Sequence, residues 1–170
     1  VMPVELQEED FRKISLAGTD GLHIHKTSIE DLADVIQLAH KYGMLVDAYI
    51  GRSSDLHPFG IPADTPEEVA KTAKQMEEIG TDMIGLMTGM SYEGVAAGEI
   101  PVIMKERIQA LVESVKVPTL AEGGINSVNQ SAFRNTGIHI IVVGTAFDDS
   151  ARIAIQSSVK KFIPGDEKRA

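Results

Sequence analysis

Five short apolar runs recur along the chain, at residues 21–25, 44–50, 82–87, 119–121 and 138–143, each of strand length. Between them the apolar positions change spacing. Ile29, Leu32, Ala33, Ile36 and Ala39 form one stripe of helical period, and Val69, Ala73, Met76 and Ile79 form another, with polar residues on the opposite faces. Start signals precede both stripes: Ser28 before the first, and Thr65 with Pro66, Glu67 and Glu68 before the second. A hydroxyl there accepts from a first-turn amide that has no partner inside the helix, and the acidic residues complement the positive helix end. Gly43 and Gly80 stand where the two helices stop, because glycine takes up the left-handed backbone of a helix terminus without steric cost. A further helix is expected over residues 5–17.

Strand and helix in strict alternation predict an α/β fold with right-handed crossovers and a parallel sheet buried on both faces. The architecture expected is a parallel (β/α) barrel of TIM type. Five of its eight strands are legible, so the barrel is expected to be incomplete, as one domain over residues 1–170. The longer connections, 51–64 and 88–101, follow strands rather than helices, and in such folds the loops after strands converge on one functional mouth. The first of them carries Arg52, Asp55, His57 and two prolines, which suits either a surface loop or a lid over a ligand.

Composition narrows the classes of function. Hydrophobic residues make up 43% of the 170 and charged residues 24%, as in globular domains. A net charge of -9 without a cluster of Lys and Arg argues against nucleic acid and acidic membrane surfaces as partners. The absence of cysteine excludes disulfides, thiolate metal sites and a cysteine nucleophile. The polar start of the chain and the lack of a membrane-length apolar run lead us to expect a cytoplasmic protein.

Glycine placement carries the chemistry. Gly123 and Gly124, followed by Asn126, come directly after the fourth strand, and Gly144 and Thr145 come directly after the fifth. Successive glycines let backbone N–H groups approach a ligand closely, and a helix starting beyond them adds its positive end, so both loops suit a phosphate group. They also suit tight strand-to-helix turns. Glu122, at the end of the fourth strand, shares a face with Leu120, and a partly desolvated carboxylate there is suited to acid/base work. An exposed, capping or ion-paired glutamate is the alternative. His23 and His25 share one face of the first strand, as do Asp47 and Tyr49 of the second. A proton relay, a metal or a hydrogen-bonded barrel lining would all use that geometry, and no metal is required by the residues. Lys26, beyond that strand, could attract an anion or simply be exposed.

The strings Asp47-Ala48-Tyr49-Ile50, Thr65-Pro66-Glu67-Glu68-Val69-Ala70-Lys71, Ile79-Gly80-Thr81-Asp82-Met83-Ile84-Gly85, Thr88-Gly89 and Ala96-Ala97-Gly98 resemble the second half of 3-hexulose-6-phosphate synthase and 3-keto-L-gulonate-6-phosphate decarboxylase. Val117-Pro118, Gly123-Gly124-Ile125 and Val142-Val143-Gly144 extend the resemblance over roughly residues 18–150. It implies a ribulose-phosphate-binding barrel whose final two loops hold a sugar phosphate through Gly123, Gly124, Asn126, Gly144 and Thr145, and a lyase reaction through an enediolate. Three departures accompany it. Nothing matches the first three strands, which in those enzymes supply acidic residues, a lysine and magnesium ligands, so magnesium enters only if such strands are supplied. Met87 stands where the synthase has a histidine, and Gly144-Thr145 where Gly-Arg is usual.

Ala121-Glu122-Gly123 is similar to a segment of N-acetylmannosamine-6-phosphate 2-epimerase and implies an epimerase alternative with Glu122 as acid/base. A phosphate-binding remnant without catalysis is the third possibility. The candidate catalytic residues are therefore Glu122, Asp47 and His25, with a phosphorylated sugar as ligand. A homo-oligomer or a longer polypeptide is expected to cover the open edges of five strands.

Overall fold

The computed structural model describes residues 7–55, 59–90 and 99–162. His57 and the Ala96-Ala97-Gly98 string lie outside the described residues, as do residues 1–6. The elements run α1 (Glu8–Leu16), β1 (Gly21–Ile24), α2 (Ile29–Lys41), β2 (Leu45–Gly51), β3 (Ile61–Pro62), α3 (Pro66–Glu78), β4 (Met83–Met87), α4 (Val102–Ser114), β5 (Thr119–Glu122), a 3-10 turn (Gln130–Phe133), β6 (Ile140–Val142) and α5 (Thr145–Lys160). All the strand pairings are parallel, in the order β1-β2-β4-β5-β6. The strands curl into part of a (β/α) barrel. The two-residue β3 was hidden inside a loop in the sequence. It pairs with Ile50 and Gly51 of β2, beyond the stretch where Leu45 to Ala48 face β1. Since β4 holds the other edge of β2 as far as Ile50, β3 prolongs the β1 side of the sheet.

Side-chain alternation divides the sheet sharply. Val46, Ala48, Ile50, Ile84, Leu86 and Ala121 point outward and are buried under helices. There they meet Leu32, Ile36 and Ala39 of α2, Val69, Ala73 and Met76 of α3, and Met104, Ile108 and Leu111 of α4. Each such aliphatic side chain removed from water contributes roughly 1.5–3 kcal/mol, so this outer layer is where the fold's stability is concentrated. Thr65 reinforces the start of α3 with a capping box: its hydroxyl accepts from the Glu68 amide, and the Glu68 carboxylate accepts from the Thr65 amide. Arg107 of α4 is 1% exposed and donates to the carbonyls of Gly51 (3.0 Å) and Ala63 (2.9 Å), drawing both ends of the 51–63 loop onto α4.

Three expectations are corrected. The sheet is not fully buried on both faces: its inner face buries Tyr49 and Leu120 but leaves His23, Asp47 and Glu122 partly exposed. Helices cover only the convex side of a curled sheet. The helix expected immediately after Gly123 and Gly124 is only the 3-10 turn Gln130–Phe133, entered through an asparagine turn in which Asn126 Oδ1 accepts from the amides of Val128 and Asn129 and the Asn126 amide donates to Asn129 Oδ1. The strand at 21–25 stops at Ile24 and leaves His25 beyond its end. Helix α5 has no buried residue. Among the described residues no helix is long and apolar enough to cross a membrane.

Candidate active site

Register assembles the inner face. His23 pairs with Asp47 across β1 and β2, Tyr49 with Gly85 across β2 and β4, Gly85 with Leu120 and Met87 with Glu122 across β4 and β5. With a side-chain period of two, His23, Asp47, Tyr49 and Glu122 all point inward. His23 Nδ1 donates to Asp47 Oδ2 at 2.8 Å, and His23 Nε2 stands 3.9 Å from Glu122 Oε2. The hydrogen bond to Asp47 raises the pKa of His23; burial opposes it, and the charges of Asp47 and Glu122 support it. The imidazole is thus held toward its protonated form between two carboxylates.

Tyr49 forms the floor of the group. It is 1% exposed, and its ring centroid lies 4.8 Å from that of His23 and 5.6 Å from that of Phe59. Its ring lies across Gly85, where a Cβ would overlap it. Burial and the neighbouring carboxylates of Glu122 and Asp47 push the phenol's pKa up.

His25 has a different environment. Its ring stacks on Phe59 with centroids 4.6 Å apart, and its Nδ1 accepts from the Gly60 amide at 2.9 Å. In the neutral ring the proton therefore sits on Nε2. Burial, then the charge of Lys26, lowers its pKa. It secures the loop before β3, whereas Asp47 and Glu122 converge on His23.

The glycine loops lie beside this group. Glu122 pairs with Val142, so the turn after β5 and the turn after β6 leave the sheet at the same level. Gly123 and Gly124 have φ of 108° and 64°, a left-handed backbone that side-chain-bearing residues rarely adopt. Thr88 anchors the turn by donating from its hydroxyl to the Gly123 carbonyl, and Asn129 Nδ2 donates to the Gly124 carbonyl at 2.9 Å. The Asn126 amide already donates to Asn129 Oδ1 at 2.9 Å, and Asn126 Oδ1 accepts from Val128 and Asn129. Asn126 thus shapes the turn as well as facing the cleft. Gly144 caps α5 and Thr145 begins it. A cleft of about 280 Å³ lies between Asn126, Ser127 and Gln130 on one side and Val143, Ala146, Phe147 and Ser150 on the other.

Sequence reasoning put Asp47 and Tyr49 on one face of the second strand and Glu122 with Leu120 on one face of the fourth, but did not single out His23 as the common neighbour of the two carboxylates. The spacing of His23 and His25 signalled a shared face without saying which ring would meet a carboxylate, since that depends on cross-strand register. Among the described residues no group of three or more His, Cys, Asp or Glu side chains is placed to hold a metal ion.

Residues 6–151 match the family described as histidine biosynthesis protein. The chain is 32% identical over 158 residues to the 1-(5-phosphoribosyl)-5-((5-phosphoribosylamino)methylideneamino) imidazole-4-carboxamide isomerase of Methanosarcina barkeri, covering 89% of this chain and 61% of that relative. It is 27% identical over 128 residues to the imidazole glycerol phosphate synthase subunit HisF of Lactococcus lactis subsp. cremoris, covering 71% and 48%. The chain spans about half the length of the curated relatives it matches. Among solved structures, a tryptophan synthase alpha-subunit from Pyrococcus furiosus superposes with a TM-score of 0.62 at 14% identity, over 82% of this chain and 50% of that one. The N-acetylmannosamine-6-phosphate 2-epimerase from Clostridium perfringens does so with 0.56 at 20% identity, over 89% and 61%. These likenesses establish the barrel fold. The matches support the wider ribulose-phosphate-binding-like barrel superfamily, and the relatives they name are the isomerase and the synthase subunit rather than 3-hexulose-6-phosphate synthase.

Proposed function

The chain belongs to the histidine biosynthesis protein family, and we propose on that premise that it takes part in an acid/base isomerisation of a phosphoribosyl-type sugar phosphate. The observation that carries this reading is the placement of Glu122, His23 and Asp47 beside the Gly123-Gly124 turn and the cleft against α5. A ligand whose phosphate rests against the amides of residues 123–124 and 144–146 would present its sugar to the inner face of the sheet. Glu122, as the carboxylate, takes a proton from the carbon next to a carbonyl or imine carbon. His23, held toward its protonated form by Asp47, gives a proton to the oxygen or nitrogen of that carbonyl or imine; Glu122 then returns its proton to the former carbonyl or imine carbon, while the hydroxyl on the other carbon returns a proton to His23 as it becomes the new carbonyl. No electrons enter or leave, and both groups return to their starting states.

Both relatives named above carry phosphoribosyl or glycerol phosphate groups in their names, which supports the choice of ligand. The lyase expectation drew on the hexulose-phosphate resemblance; of the relatives named above, the one named an isomerase lends support to isomerisation instead. The test is an NMR titration of the isotope-labelled chain with inorganic phosphate and with ribose 5-phosphate. The amides of residues 123–126 and 144–146 are expected to shift with both, and those near His23 only with the sugar phosphate. Shifts confined to other parts of the chain would overturn the assignment.

A further inference from the structure

Two successive carbonyls of the turn after β5 accept from one residue. The amide of Thr88, directly after β4, donates to the Glu122 carbonyl at 2.7 Å, and the Thr88 hydroxyl donates to the Gly123 carbonyl. Along a regular strand successive carbonyls point alternately to the two neighbouring strands. β5 lies between β4 and β6, so with the Glu122 carbonyl on the β4 side, that of Gly123 would by default face β6. The left-handed backbone at Gly123, with φ of 108°, instead turns the Gly123–Gly124 peptide over and returns its oxygen to Thr88. In a planar trans peptide the N–H is opposed to the C=O. The Gly124 N–H is therefore directed away from β4, to the β6 side where the cleft against α5 lies. Without that inversion an oxygen would stand where an anion needs a donor.

Thr88 is suited to hold this arrangement. Its side chain is fully buried, and its Oγ1 also accepts from the Met90 amide at 3.3 Å, which leaves the hydroxyl proton for the Gly123 carbonyl. A Cβ at Gly123 would stand 3.0 Å from the same Oγ1, so the hydroxyl and the glycine are matched in size. We infer that Thr88 is the positioning residue of the phosphate turn: its hydroxyl keeps the Gly123–Gly124 peptide inverted, so that the Gly124 N–H rather than the Gly123 oxygen meets the phosphate. Resting on the sugar-phosphate reading, this assigns part of the affinity for the anion to a side chain buried behind the turn.

The experiment compares the parent chain with Thr88→Val, which keeps the shape and removes the donor, and with Thr88→Ser, which keeps the donor. The residual dipolar coupling of the Gly124 N–H, measured without ligand, reports the direction of that bond, and an NMR titration with inorganic phosphate reports affinity. Thr88→Val should change the Gly124 coupling while those of β4 and β5 stay as they are, and should weaken phosphate binding about tenfold. Thr88→Ser should restore the coupling and bring the affinity to within about threefold of the parent's. A Gly124 coupling or a phosphate affinity in Thr88→Val equal to the parent's overturns the inference and leaves Thr88 a packing residue. So does a Thr88→Ser chain that behaves like Thr88→Val. If Thr88→Val does not fold, Thr88→Cys takes its place as a far weaker donor, and phosphate binding as tight as that of Thr88→Ser then overturns the inference. Failure of the parent chain to bind phosphate would sink the proposed function, and the couplings, which need no ligand, would decide by themselves whether Thr88 holds the peptide.

Discussion

His23 of β1 and Asp47 of β2 are partners twice over, facing each other in strand register and joined by a 2.8 Å hydrogen bond. The bond ties the protonation of the imidazole to the alignment of two strands. Two residues further on, His25 is held by a backbone amide instead, so neighbouring histidines report different surroundings.

These two histidines should titrate on opposite sides of the ordinary value near 6.5. His23, raised by Asp47, stabilises the fold fully below the unfolded-state pKa and loses that contribution as pH climbs through its raised value. His25, lowered by burial, stabilises the fold above the unfolded-state pKa and loses that contribution as pH falls through its lowered value. Proton NMR of the ring resonances checks both, and Asp47→Asn should bring the His23 midpoint down while leaving that of His25 in place. Coincident midpoints in the parent chain would contradict the geometry.

Glu122→Gln preserves shape and removes the base. Solvent deuterium exchange at the sugar carbon of a bound substrate should fall by roughly 10²–10⁴-fold, while the affinity for inorganic phosphate changes by less than about threefold. Equal exchange in the variant and the parent would exclude Glu122 from proton transfer.

Gly85→Ala places a methyl group where the Tyr49 ring lies. Overpacking a buried ring should cost about 1–3 kcal/mol, read as a lower denaturation midpoint, and should move the His23 ring resonances because the two rings touch. A variant as stable as the parent would mean that the ring has room to move.

Arg107→Ala removes both donors to Gly51 and Ala63 and opens space under α4. A loss of roughly 2–4 kcal/mol is expected, together with faster amide exchange in residues 51–55 and 59–63. Protection unchanged in that loop would show that β3 holds it without help.

Helix α5 exposes Phe147 (68%), Ile153, Ile155 (64%) and Val159, and β6 has no strand on its outer side among the described residues. The isolated 170-residue chain is expected to associate, with a melting temperature that rises with concentration. Light scattering showing a compact monomer, with a melt independent of concentration, would refute this.

The alternation of strands and helices, the caps at Ser28 and Thr65 and the glycine turns after β5 and β6 were legible in the sequence because each depends on residues close together in the chain. Period-two alternation likewise put Asp47 with Tyr49 on one face of β2 and Glu122 with Leu120 on one face of β5. The 3-10 turn after β5 was not legible, since how far a short turn continues as helix depends on the backbone geometry around Asn126 and Asn129 rather than on a local pattern. Nor was β3, too short to carry a pattern. The partial exposure of the inner face at His23, Asp47 and Glu122, the choice of His23 over His25 as the partner of Asp47, and the burial of Tyr49 came only with tertiary structure. Each depends on which strands lie side by side and in what register, and that is decided by the packing of the outer core across residues tens of positions apart rather than by any local signal.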